Sequence, residues 1–405
     1  MKRLVIKKHM FVKEVLLFLV FVLIIGCAPS SEYLLKKNRK MGNDTDYVKV
    51  LLQKTNSRIT ITSRSRVKIT SLSNNSIKYN GHGKKFIFIP EKIKEPVLIE
   101  SWGSFLQIDD KEYRGMIELH NVMGKLCVIN VIRMYEYLYG VLPGEIMTGW
   151  PDETLKAQAV AARTYAYHHI HKNKNNLYDL DATTKFQVYK GKSIEDPKTN
   201  RAVDDTCGEI AVYKNKPIVA FFHSTCGGYT VDDNLVWNGD DMEYLRSVKC
   251  PYCKGSPSYE WKEILTRYEM IESLKKKYSG IGQITGITFI RKDRRVVKVV
   301  IKHTNGIIRI SGNNFRLLFP AKKIKSLYFH ARKKPDGLEL HGYGWGHGVG
   351  LCQWGARGMA NHGKNYENIL KFYYRGIKII NINRLKTNGV RRKYQSAAAV
   401  SSPNS

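Results

Sequence analysis

Between Tyr47 and about Met134, short apolar runs alternate with polar turns: VKVLL, RITIT, KKFIFIP, PVLIES, GMIEL and KLCVINVI, separated by Asn, Gly and Ser. Runs of this length, rich in β-branched residues and closed by turn formers, predict strands. The pattern changes after residue 135. Trp150-Pro151-Asp152-Glu153 sets a proline near the first helical position and two acids in the first turn, and predicts a helix to about His171. Leu155, Ala159, Ala162 and Ala166 recur there at helical spacing, and such small residues imply that another backbone packs close against the helix. Further on, strands and turns are expected over 181–189 and 202–222, a second helix over 268–278, strands at GITFIRK and VVKVVIK, and a third helix over 366–374. The fold class expected is α+β, a β-rich region over 47–134 followed by a mixed helix and strand core over 135–382.

The two ends read differently. Lys2, Arg3, Lys7, Lys8 and Lys13 surround the start of an apolar run, Val15 to Ile25, that is short for a bilayer span and runs directly into Gly26-Cys27. An export signal over 1–26 follows. Leu23-Ile24-Ile25-Gly26-Cys27 resembles the lipobox of bacterial lipoproteins, which makes Cys27 the expected lipidation site and the mature first residue. An uncleaved anchor helix and ordinary secretion are the alternatives. Under the lipoprotein reading, the protein is anchored to a membrane on the extracytoplasmic side of the cell envelope, with 27–46 as a tether. Residues 383–405 form a low-complexity tail expected to lack structure.

A length of 405 residues with 43% hydrophobic content suffices for one large core or two smaller ones. The formal charge of +32 favours polyanionic neighbours. Because the basic residues spread along the whole chain of an exported protein, nucleic acid is not the expected partner.

His223-Ser-Thr-Cys226 and Cys250-Pro-Tyr-Cys253 pair short-spaced soft ligands across one loop, as tetrahedral zinc sites do. His223, Cys226, Cys250 and Cys253 are the expected ligands of a structural Zn, held by an inserted loop over 223–253. Four protein ligands leave no position for a reactive water. A disulfide among these cysteines is the alternative; a redox C-P-Y-C pair lacks its usual strand and helix context. Cys127 reads as a small core residue, and Cys207 has no assignment.

Glu145 stands in an apolar turn among Leu138, Val141, Leu142, Ile146 and Trp150, a setting that disfavours the charged carboxylate and suits a general acid. Capping of the following helix is the bland alternative. The glycine-rich run HGYGWGHGVGLCQWGARG lacks the Lys-Ser/Thr ending of a phosphate loop. Its aromatic and His content suits a sugar groove, where Trp345 or Trp354 could stack on a pyranose.

Four segments, Tyr137–Tyr167, Asp181–Gly191, Phe222–Thr230 and Gly344–Ala356, together resemble the sporulation stage II protein D (SpoIID/LytB) family, whose members remodel peptidoglycan. The resemblance implies a lytic transglycosylase that cuts the MurNAc to GlcNAc bond of glycan strands lacking stem peptides and leaves 1,6-anhydroMurNAc ends. The family pattern Y-L-x-G-V-x-x-x-E falls on Glu145, as single catalytic acid and base. The pattern L-K-A-Q-A-V-A-A-R-T-Y nominates Lys156, Gln158 and Arg163 for a glycan groove, and the closing pattern nominates His347 and Gln353. Ile146-Met147 and Leu351-Cys352 depart from the usual Met-Pro and Met-Ser. Some relatives are amidase enhancers, so a non-catalytic glycan-binding enhancer of an N-acetylmuramoyl-L-alanine amidase is the second reading, and a cell-wall amidase is an expected partner.

Overall fold

The computed structural model describes residues 47–386 except Ser104, Lys174, Thr184, Lys185, Asn238 and Asp240. The export signal, the tether, Cys27 and the tail beyond 386 lie outside the described residues. Within 383–405, expected to lack structure, the described residues Asn383–Lys386 form a helical turn.

The N-terminal region is β-rich, as its periodicity predicts. A seven-stranded sheet has the order Leu180–Asp181, Tyr47–Thr55, Lys125–Arg133, Met116–Val122, Val97–Trp102, Arg66–Ser71 and Ile77–Gly81. All neighbours are antiparallel except the first pair. A four-stranded sheet, Lys85–Phe88, Ile59–Thr62, Leu106–Ile108 and Lys111–Tyr113, shares the same core through Ile59, Ile61, Leu106 and Ile108. The strand Lys125–Arg133 is buried on both faces: Leu126, Val128 and Ile132 join the main core, while Cys127 and Ile129 pack with Leu51. A continuous apolar run rather than a clean alternation is what such double burial requires.

The long helix runs Asp152–Lys172, within a residue or so of expectation, with Asp152 and Glu153 at its start and His169, His171 and Lys172 at its end. From Leu155 to Tyr167 it is buried on nearly every side. The helices Pro197–Asp205, Gln353–Asn361 and Tyr366–Tyr373 and the strand Glu209–Tyr213 surround it. Its alanines allow that close approach. Pro197–Asp205 falls mostly where the sequence pattern assigns no element, and Gln353–Asn361 overlaps the end of the glycine-rich run. The first is announced by Asp196, whose side chain accepts from the Lys198 and Thr199 N–H groups.

The 135–382 core holds two hydrophobic bodies, not one. A second cluster, containing Trp261, Leu265, Met270, Val299, Phe315, Phe329 and Leu340, is distinct from the main core. It is built from two three-stranded sheets, one of Glu260–Thr266, Gly337–Tyr343 and Phe329–Lys334 and one of Ile284–Lys292, Arg295–His303 and Gly306–Ser311. The helix Arg267–Lys275, opened by a Thr266/Glu269 capping box, and the short helix Gly312–Leu317 complete it.

The two bodies are joined along the glycine-rich run. Buried Arg295 donates to the carbonyls of Cys226 (3.1 Å) and Tyr229 (2.8 Å), and the Trp261 indole donates to Gly344 O (2.9 Å). At Gly348, with φ of +85°, a Cβ would fall 2.7 Å from the Arg295 guanidinium. The glycines here admit neighbouring protein atoms, so the run is a seam, not a cradle for a ligand.

Candidate active site

Glu145 ends the short helix Leu142–Glu145, started by Pro143, and the chain turns extended at Ile146. The turn lies against Val188, where a Cβ on Gly144 would meet the Val188 carbonyl at 3.1 Å. The Val188 N–H donates to Glu145 Oε1 at 2.7 Å. Val188 is itself fixed through Gln187, which accepts from the Tyr137 hydroxyl (3.0 Å) and donates to Ala162 O (3.2 Å). The segment Asp181–Gly191 therefore positions the acid, and its Thr183, Phe186 and Val188 also line the cleft beside it.

The carboxyl group is half-buried. Burial raises its pKa above the usual carboxylate value, and the single Val188 hydrogen bond opposes that rise. It faces a cleft of about 590 Å³ bounded by Tyr165, Phe186, Val188, Phe221, Trp237, His347 and, from the second body, Asn313, Arg316 and Leu317. Phe221 and Trp237 stack with centroids 4.5 Å apart and form an aromatic wall. Glu145 also borders a second, shallow hollow formed by Pro143–Gly149. Among the described residues that line the cleft, Glu145 is the one carboxyl group.

The other nominated groove residues stand elsewhere, for identifiable reasons. Lys156 pairs with Glu153 (3.1 Å) and Asp205 (3.7 Å) and is not among the residues that line the cleft. Arg163 is wholly buried and donates to Val203 O (3.0 Å) and Glu209 O (3.2 Å), holding the helix to the following segment. Gln158 is wholly buried, and its Oε1 lies 3.3 Å from Gln353 Nε2. That same nitrogen donates to the Glu145 carbonyl at 3.0 Å, so Gln353 positions the acid through its backbone. His347 does line the cleft, but both ring nitrogens are engaged: Nδ1 accepts from Val349 N (3.1 Å) and Nε2 donates to Phe222 O (2.9 Å). Burial pushes its pKa down, so it is a neutral wall element. Trp354 packs edge-on against Trp150 with Arg357 over it, outside this cleft. Sequence reasoning missed Arg316, Asn313 and Trp237, which no local motif marks.

The cysteine cluster is corrected in one ligand. The Sγ atoms of Cys226, Cys250, Cys253 and Cys352, all buried, lie within 4.8 Å of one another. His223 is not part of this set: its Nδ1 turns to Val349 O (3.0 Å), and its Nε2, buried without a hydrogen-bond partner among the described residues, is not one of the atoms that lie together. Burial pushes its pKa down to about 3. The parallel pairing of Phe222–His223 with Leu351–Cys352 delivers Cys352 instead. A tetrahedral ion with metal–sulfur bonds of about 2.3 Å sets its sulfurs about 3.8 Å apart, a spacing that a set within 4.8 Å, with Cys226 and Cys253 Sγ at 3.5 Å, can adopt with small shifts. The Cys226 and Gly355 N–H groups donate to Cys352 Sγ (3.2 and 3.3 Å), and the Tyr373 hydroxyl lies 3.1 Å from Cys250 Sγ. Such donors, with Arg295 beside Cys226, suit a set of thiolates. All six cysteines of the described residues are free thiols, so the disulfide alternative does not describe this structure.

Residues 122–213 match the family model described as Stage II sporulation protein. Stage II sporulation protein D of Bacillus subtilis is 35% identical over 268 residues, covering 61% of this chain and 74% of the relative. The chain belongs to the stage II sporulation protein D family. An uncharacterized protein of Brachyspira hyodysenteriae is 39% identical over 295 residues, 72% of this chain and 78% of the relative. The amidase enhancer of Bacillus subtilis is 30% identical over 289 residues, but these make up only 39% of that relative. Residues 252–350, which contain nearly all of the second body, match a domain of unknown function (DUF8618). In this family member, the motif glutamate lies in the cleft between the two bodies.

Proposed function

We propose that this protein is a lytic transglycosylase of peptidoglycan, cleaving MurNAc to GlcNAc bonds of peptide-stripped strands, with Glu145 as acid and then base. The observation that carries the reading is a half-buried carboxyl group, its pKa raised by burial, that is the one carboxyl group among the described residues lining a cleft of about 590 Å³. Ordinary glycosidases place a second carboxylate about 5 to 9.5 Å from the first, as nucleophile or to activate water. A lytic reaction needs none. Protonated Glu145 gives its proton to the departing GlcNAc O4 as the C1–O4 bond breaks. The C6 hydroxyl of the same MurNAc then bonds to C1, and its proton returns to the Glu145 carboxylate. Atoms balance without water, and the acid is regenerated.

The aromatic pair Phe221–Trp237 supports sugar binding by offering an apolar face to a pyranose. The thiol cluster fits Zn as a closed structural clamp: four buried sulfur ligands leave no open position, so the ion would supply folding stability. The Cys27 lipobox supports anchoring on the outer side of a membrane, within reach of the wall. Partial similarity to an amidase enhancer favours a second reading, a glycan-binding helper of a cell-wall amidase that itself cuts nothing. Incubation with denuded glycan strands, followed by mass spectrometry for 1,6-anhydroMurNAc ends, separates the two. Product from the parent protein and none from Glu145→Gln supports the enzyme; no product from either supports the helper.

A further inference from the structure

The cleft contains a cation that no motif marks and whose charge no acid answers. Arg316 closes the short helix Gly312–Leu317 of the second body and lines the cleft opposite the elements that carry Glu145. Its Nε and Nη2 are both directed at one neutral acceptor, Asn313 Oδ1, at 3.3 and 3.1 Å. Asn313 is itself buried, so the guanidinium is aimed, not free to swing. Of the five N–H donors of a guanidinium, those of Nη1 and one of Nη2 have no acceptor among the described residues. Burial lowers the Arg316 pKa, with no neighbouring acid to offset it.

Arg316, partly buried, contrasts with the two buried arginines. Arg163 and Arg295 spend their donors on backbone carbonyls and lie within the protein fabric. Arg316 presents its open edge to the cleft. A partly desolvated guanidinium with unused parallel donors is a receptor for a planar anion, above all a carboxylate held by two hydrogen bonds. Glu145 does not fill this role: both groups line the cleft, yet among the described residues no ion pair or hydrogen bond joins them.

We propose that Arg316 is the carboxylate-recognising residue of this cleft and that it reads the free lactyl group of a MurNAc residue. The proposal rests on the glycan reading above. In a peptide-bearing strand the lactyl carbonyl is an amide, neutral and unable to accept two parallel charge-assisted bonds. After the peptide is removed it is a carboxylate. A residue on the second body thereby distinguishes stripped from unstripped strands, and each MurNAc seated there must have passed through an amide-hydrolysing reaction first.

The test uses binding, so that it stands apart from cleavage. In a Glu145→Gln background, titration calorimetry compares a MurNAc–GlcNAc oligomer with free lactyl carboxylates, the same oligomer with those groups converted to methylamides, and chitotetraose, which has none. The free-acid oligomer should bind roughly 10- to 100-fold more tightly than the methylamide, the range of a charge-assisted hydrogen bond. Adding Arg316→Gln should erase that preference and leave chitotetraose binding unchanged, while Arg316→Lys, which keeps charge but loses the fork, should restore part of it. If Arg316→Gln lowers the melting temperature, the Arg316→Lys comparison decides. A preference that survives both substitutions, or one absent from the parent, overturns the assignment. Discrimination without any anhydro product would sink the enzyme reading and leave Arg316 standing; product without discrimination would do the reverse.

Discussion

Replacing Glu145 by Gln separates a proton donor from a structural cap. The amide keeps the shape of the carboxyl group and retains an oxygen for the Val188 N–H, now 2.7 Å from Oε1, so the turn should persist. What disappears is the transferable proton. A positioned general acid contributes about 100- to 10,000-fold in rate, or about 2.7 to 5.5 kcal/mol of barrier. The upper end is expected here, since in the proposed mechanism one group serves both proton transfers. The pH dependence has a defined sign. Because burial raises the folded-state pKa of Glu145, the native protein holds a proton over a window in which the unfolded chain has lost it. Stability of the parent therefore falls as pH rises from the ordinary carboxylate value through the raised one, and the Gln variant is spared that loss. Activity falls over the same rise, as the acid form is depleted. The assay is release of 1,6-anhydroMurNAc ends across a pH series, beside thermal melts of both proteins. A variant that cleaves at the parental rate refutes the mechanism. One that melts lower than the parent at every pH refutes the assignment differently, by showing a carboxylate that caps or pairs.

Three further outcomes are expected. Cys352→Ser should lower bound zinc below one equivalent per chain and reduce the melting temperature, whereas His223→Gln should leave zinc content unchanged; metal analysis after dialysis reads both. Arg163→Met should destabilise the fold by about 3 kcal/mol, because several charge-assisted bonds to buried carbonyls are lost together; urea unfolding measures it, and glycan affinity of the folded protein should not change. Gln353→Leu removes the clamp on the Glu145 carbonyl, and should lower kcat roughly tenfold with little effect on KM, as a small misplacement of a catalytic group does; steady-state kinetics on denuded strands separates the two constants.

What could be read from the chain depended on the distance between cause and effect. The helix Asp152–Lys172 was legible because its start signal and its small residues are local. Glu145 was legible through a contiguous motif and the apolar residues around it. Arg163 belongs to the same motif, yet side-chain direction on a helix buried all round cannot be judged from spacing, and it turned inward to carbonyls. The thiol set shows the limit most clearly. Cys250 and Cys253 announce themselves by spacing, and His223 imitates a ligand by the same rule. Cys352 has no partner nearby in sequence and arrives through a two-residue parallel pairing. Arg316 and Asn313 are similarly distant, placed by the docking of a second hydrophobic body whose separateness the strand pattern did not disclose.

Cys352 and Gln353 are consecutive, and they belong to different tasks. One side chain joins the sulfur cluster; the next grips the peptide carbonyl of the acid. A displacement of the first by a few tenths of an ångström has a single peptide plane in which to be absorbed before it moves the second. The thiol knot and the turn that carries Glu145 are therefore geared together mechanically, and loosening the one slackens the aim of the other.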